Sequence, residues 1–158
     1  MRLVQKVVAY IVRDGRIVVF IHPDDSTLDE SGIQVPAGTV EPGELPADAV
    51  LREAREETGL AGLRIVRYLG AAEYDMRPSQ DTLQIRHFFQ LGVDGDVPER
   101  WYAYERGDGS IDPIRFELYW LPLRQVQVVG AGQAALAGRI VETDGMVSRD
   151  GGSAGSSP

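Results

Sequence analysis

The sequence predicts an α/β domain built on a mixed β-sheet. Three observations carry the prediction. Most apolar residues fall in short runs rich in Val, Ile, Tyr and Phe, separated by Gly, Pro and Asp, a composition typical of strands and turns. One run, from about residue 45 to 58, has no Gly and is rich in Ala, Leu, Glu and Arg, as helices are. Strand-like and helix-like runs are interspersed along 158 residues, enough for one domain with a full hydrophobic core and arranged for one sheet rather than separate units.

The elements follow in order. "QKVVAYIVRDGRIVVFIH" is two apolar runs joined by Asp14-Gly15, a hairpin signal. "PDDSTLDES" is a polar loop, and "GIQVPAG" a short strand ended by Pro36 and Gly38. The helix over 45–58 places its only proline, Pro46, in the first turn, and Gly59 follows as a cap. "LRIVRYLGAAEYDM" reads as one strand or two, with a bulge at Gly70, and "TLQIRHFFQLGV" as another. "DGDVPERWYAYERGDGSIDP" reads as a long polar and aromatic loop. "IRFELYWLPL" is a further strand, with Trp120 and Leu118 alternating into the core, and "GAGQAALAGRIVETD" a second helix. Residues 1–143 form a single domain. Residues 144–158, rich in Gly and Ser, form a disordered tail.

Charge narrows the function. A formal net charge of −8 argues against general binding to nucleic acid or anionic membrane, which needs a basic surface. It leaves small phosphorylated ligands open, since a metal cation bridges phosphate to carboxylate. The chain has no cysteine, which removes thiol catalysis and zinc–thiolate sites. The apolar run Val7 to Val12 is too short to span a bilayer, and no cleavage site follows, so the expected location is cytoplasmic. A homodimer stays open.

The helix has three faces. Ala47, Val50, Leu51 and Ala54 form an apolar stripe at i, i+3, i+4 and i+7. Glu53, Glu56 and Glu57 form a second stripe with Ala49 beside it, and Arg52 and Arg55 lie on a third side. Arg52 reaches Glu56 one turn on. Glu56 and Glu57 sit near the helix C-terminus, where the macrodipole disfavours negative charge. Carboxylates gathered on one side, after the Gly-rich loop "PAGTVEPGE", suit a hard divalent cation such as Mg²⁺. Glu41 and Asp48 fall outside the stripe and are assigned to solvent.

The stretch "GTVEPGELPADAVLREAREETGL" resembles the signature of the Nudix hydrolases, G-x5-E-x7-R-E-U-x-E-E-x-G-U, where U is aliphatic. Gly38, Glu44, Arg52, Glu53, Ala54, Glu56, Glu57, Gly59 and Leu60 occupy its positions. Ala54 stands where a bulkier aliphatic is usual. The resemblance implies the family's α/β/α sandwich with a mixed sheet. It also implies hydrolysis of a nucleoside diphosphate linked to another group X, with Mg²⁺ or Mn²⁺. On this resemblance Glu53, Glu56 and Glu57 are metal ligands, with Gly38 adding its backbone carbonyl. Arg52 pairs with Glu44 and orients the ligands, and Glu53 or Glu57 is the general base. Some relatives use a glutamate from elsewhere; Glu73, Glu99, Glu105 and Glu117 are the candidates here. The marks of the ADP-ribose, dinucleoside-polyphosphate and coenzyme A branches are absent, so X stays open. For its recognition, Trp101 and Tyr104 offer aromatic faces, and Arg77 and Arg86 offer contacts to phosphate. His22 and His87 are not needed for the chemistry. The competing reading is a binding module that senses such a ligand without cleaving it. A diphosphate isomerase would need a catalytic cysteine.

Overall fold

The computed structural model describes residues 1–23, 32–105 and 114–142. Among these residues seven strands are present: β1 (Arg2–Arg13), β2 (Arg16–Ile21), β3 (Ala37–Thr39), β4 (Leu63–Asp75), β5 (Thr82–Val93), β6 (Arg100–Glu105) and β7 (Ile114–Pro122). They form one sheet in the order β4-β5-β1-β2-β7-β6, with β3 also beside β1. β1 and β5 run parallel and every other pairing is antiparallel, so the sheet is mixed.

The Asp14-Gly15 turn closes β1 on β2, with φ of 53° and 72°. Both central residues are left-handed, as the hairpin turn that matches strand twist requires. β4 is a single strand whose register slips between Ile65 and Arg67 and again between Tyr68 and Gly70, so the irregularity at Gly70 is real. "GIQVPAG" is shifted from its expected place. Ile33 and Gln34 make only isolated bridges, and the strand begins after Pro36. "RWYAYE" is β6 and not loop, paired along its length with β7.

The sequence places one helix correctly and one wrongly. α1 spans Pro46–Thr58 and ends at Gly59, which adopts φ 72° and returns its N–H to the Arg55 carbonyl. Asp48 sits in its first turn, where a carboxylate favours the helix dipole. The expected second helix is absent from the described residues 130–142. Leu123–Val128 and Ala137–Arg139 form short 3₁₀ turns, and Ala131 and Gly132 adopt φ of 55° and 72°, which no α-helix accommodates.

The sheet is covered on both faces, giving the α/β/α layering in substance. α1 sets Ala49, Val50 and Ala54 against Val7, Ala9, Ile11, Phe89, Leu91 and Leu118. Ala49, placed beside the acidic stripe by the helical wheel, is wholly buried. Trp120 and Leu118 are core, as their alternation predicts. On the opposite face Val8, Tyr10, Val19 and Phe88 lie beneath Val126, Leu136 and Ile140 from the C-terminal turns. No helix among the described residues is long and apolar enough to cross a membrane.

Candidate active site

β1 changes partners along its length. Its C-terminal end pairs with β2, while Lys6 to Val8 pair with β3. β3 is therefore a short plank between β1 and α1, and the acidic stripe of the helix lies over it. Ala37 N–H donates to Glu57 Oε2 at 3.2 Å. Gly38 lies directly under Glu53: a Cβ there would stand 2.0 Å from Glu53 Cδ. The first glycine of the motif thus makes room for a carboxylate.

Arg52 organises the rest. Its Nε and Nη2 donate to the two oxygens of Glu44 at 2.8 and 2.9 Å. Nη2 also reaches the Thr39 carbonyl at 3.0 Å, and Nη1 donates to Glu53 Oε1 at 2.8 Å. One guanidinium thus ties the loop, β3 and the helix together. Glu56 lies 3.6 Å from Arg52 and is 60% exposed, so of the three carboxylates on the stripe it is open to water. Glu41, assigned to solvent, is exposed but approaches Arg52 at 3.8 Å. Its N–H donates to Glu44 Oε1 at 3.1 Å.

These contacts set the charge states. The hydrogen bond from Arg52, aided by the Glu41 N–H, holds Glu44 down to about 2. Glu53 moves the other way: burial raises it, against the pull of Arg52. Lys6 is drawn down by burial and held up by Glu53. Among the described residues no three His, Cys, Asp or Glu side chains converge on a point, because Glu53 turns to Arg52 and Glu57 to the Ala37 N–H. The donor types still suit a hard cation: three carboxylates within five residues of one helix face, with Gly38 beneath one of them.

The other predicted residues are scattered. Trp101 donates its indole N–H to the Thr58 carbonyl at 2.9 Å and packs on the end of α1. Tyr104 is 58% exposed on β6. Arg77 lies in the β4–β5 turn, bound to Asp75 at 2.6 Å. Arg86 is buried on β5. Glu99 pairs with Arg16 at 2.6 Å and Glu117 with Arg100. Glu73 is exposed on β4, and the side chain of Glu105 lies outside the described residues. His22 contacts Phe20 and Phe116 edge-on, and His87 bonds Tyr68 and Gln5.

Sequence reasoning named Arg86 but missed Lys6 and the cavity they line beside Gly38. A cavity of about 210 Å³ is lined by Lys6, Val8, Gly38, Gln84, Arg86 and Gln133. The available signal was strand alternation: Lys6 shares a face with Val8, Tyr10 and Val12.

The NUDIX domain model matches residues 3–140. An RNA pyrophosphohydrolase of Psychrobacter sp. (strain PRwf-1) is 31% identical over 105 residues, which are 59% of this chain and 60% of that protein. The chain thus spans about 60% of the length of this curated relative. A MutT NUDIX hydrolase from Burkholderia pseudomallei superposes with a TM-score of 0.63 at 19% identity, covering 89% of this chain and 100% of the other. MutT protein from Methanosarcina mazei Go1 gives 0.61 at 21% identity, over 87% and 92%. A UDP-X diphosphatase gives 0.59 at 19% identity, over 88% and 63%. At these identities the three structures share the fold.

Proposed function

Because this chain belongs to the NUDIX family, we propose that it is a pyrophosphohydrolase. It cleaves the diphosphate of a nucleoside diphosphate linked to a further group X, by attack of water at phosphorus, with Mg²⁺ or Mn²⁺. The observation that carries the reading is the Glu53, Glu56 and Glu57 stripe lying across β3, with a glycine beneath Glu53 and one arginine fixing its position.

Glu53, Glu56, Glu57 and the Gly38 carbonyl would hold the cation, which neutralises diphosphate oxygens and makes the attacking water more acidic. The work of the chain is positioning and proton transfer. Glu44 fixes Arg52, and Arg52 holds one oxygen of Glu53, which leaves the other for the cation. Glu53 or Glu57 accepts the proton of the attacking water. The leaving phosphate oxygen departs with the bonding electrons, giving a nucleoside monophosphate and phosphorylated X. Arg52 and Glu44 touch neither water nor substrate; they are positioning residues.

A phosphate-release screen over nucleoside triphosphates, nucleotide sugars, dinucleotides, ADP-ribose and 5′-triphosphorylated RNA, with Mg²⁺ and Mn²⁺, tests this. Metal-dependent turnover is expected. Glu56→Gln and Glu57→Gln are expected to lose about a hundredfold or more in kcat, roughly 2.7 kcal/mol of barrier. Turnover left intact in both variants overturns the metal assignment. A compound that stabilises the protein thermally with metal yet is never consumed favours the binding-module reading.

A further inference from the structure

We propose that the cavity beside the acidic stripe is an anion subsite formed by Arg86 and Lys6, and that group X carries a phosphate or carboxylate at the end that enters it. The proposal rests on the hydrolase reading and deepens it.

Arg86 is the first observation. It is only 8% exposed, and a buried charge is costly unless matched. Its partners are neutral: the Gln84 amide oxygen at 2.9 Å, the Ala131 carbonyl, and the ring of Tyr74, 3.9 Å below the guanidinium. No ion pair with a carboxylate forms among the described residues, and its Nη2 donates to none of them. The side chain lines the cavity. Among the described residues the guanidinium is held by neutral groups, and no carboxylate pairs with its charge.

Lys6 is the second observation. It is the direct cross-strand neighbour of Arg86 in the parallel β1–β5 ladder. Like charges in that relation are destabilising. Lys6 also lines the cavity, and its Nζ donates to Thr39 Oγ1 at 2.8 Å, which ties it to β3, the strand beneath the carboxylates. Glu53 and Glu57 act on it only at longer range. An anion bound between the two cations would relieve their repulsion and supply the charge Arg86 lacks.

Size limits what enters. The cavity, at about 210 Å³, is below the roughly 300–1,000 Å³ of sites that take a whole drug-sized ligand. It suits one charged end of a substrate whose diphosphate lies on the stripe. Gln133 closes the wall from the C-terminal turns, its Oε1 held by the Val35 N–H at 2.9 Å.

The test uses two substrates that differ by one carboxylate, UDP-glucose and UDP-glucuronate, compared by kcat/KM for wild type, Lys6→Gln and Arg86→Gln. Arg86→Lys keeps the charge if Arg86→Gln folds poorly. Wild type is expected to favour the glucuronate by about tenfold or more, and each neutral variant to shrink that ratio by about tenfold, as loss of one charged hydrogen bond implies. Equal kcat/KM on the two in wild type, or a ratio unmoved in both variants, overturns the subsite and leaves the hydrolase reading standing. If neither compound is consumed, inorganic phosphate titrated into metal-free protein in EDTA decides. A rise in Tm present in wild type and lost in Lys6→Gln supports the subsite, even where the hydrolase reading fails. Absence of that rise in wild type overturns it.

Discussion

The two faces of the sheet are covered in opposite ways. On one face α1 satisfies its own backbone hydrogen bonds, so it needs only an apolar stripe, Val50 and Ala54 with the wholly buried Ala49, to dock. On the other face the bonds within the C-terminal turns are short ones spanning three residues, and the turns are pinned by polar side chains that run between them and the strands. Tyr10 donates to the Gln133 carbonyl. Gln90 exchanges two bonds with Val141, at 2.6 and 2.9 Å. Arg139 donates to the Leu69 carbonyl at 2.8 Å. Arg86, Gln90 and Gln133 are all buried. A regular element leaves its polar face free for chemistry, whereas an irregular one consumes polar side chains to hold itself in place.

The largest expected effect breaks the helix side at Gly38. Gly38→Ala puts a methyl 2.0 Å from Glu53 Cδ. That atom is near the end of a flexible side chain, so Glu53 swings away and the fold survives. Activity is expected to fall about a hundredfold or more, with Tm lowered by only a few degrees, roughly a 1 kcal/mol change. A variant that loses Tm and activity in parallel would show that the carboxylates on this face hold the fold as well. Arg52→Lys comes next. Lysine cannot span Glu44, Thr39 and Glu53 at once, and a drop of about 10–100-fold in metal-dependent kcat is expected.

The same contrast governs what the sequence could disclose. The Gly38–Leu60 stretch was legible because its chemistry sits on one local element, where spacing alone brings Glu53, Glu56 and Glu57 to one face. The Glu44–Arg52 pair spans only eight residues. "GAGQAALAGR" misled because its alanines favour helix, while the bonds that decide its shape come from Tyr10, Arg86 and Gln90, far away in sequence. β6 is not legible in the sequence because its polar flanks hide an alternation that matters only once Ala103 meets Phe116 across the ladder. The Lys6–Arg86 neighbourhood depends on the β1–β5 register, which no local pattern encodes.

Two stability variants sharpen the contrast further. Val50→Ala empties space under the helix and is expected to cost about 2 kcal/mol. Gln90→Leu leaves the N–H and carbonyl of Val141 unmatched, at about 1–3 kcal/mol. The totals overlap, so hydrogen exchange distinguishes them. Val50→Ala should lower protection throughout the sheet and α1 together. Gln90→Leu should loosen residues 123–142 while the sheet stays protected. Uniform loss in both would mean that the turns are as integral to the core as the helix.

The smallest effect concerns His87, a polar side chain tied on the helix-covered face. His87 lies two residues along β5 from Phe89, past the edge of the apolar cluster. Its Nε2 meets Gln5 Oε1 at 2.7 Å and its Nδ1 meets Tyr68 Oη at 3.0 Å. With Gln5 accepting, Nε2 carries the proton and Nδ1 accepts from the tyrosine, an arrangement only neutral imidazole can make. Burial lowers the His87 pKa below 6.5. A depressed folded-state pKa means that the unfolded chain binds the proton first as pH falls. The contribution of His87 to stability is therefore complete above 6.5 and is lost as pH drops below it through the lowered value. An NMR titration should place the His87 midpoint below 6.5. His87→Gln should flatten the corresponding slope of Tm against pH and leave turnover at neutral pH intact, since nothing on the acidic stripe touches this ring. A midpoint at or above 6.5 would mean that a charged partner, and not burial, governs this corner of the sheet.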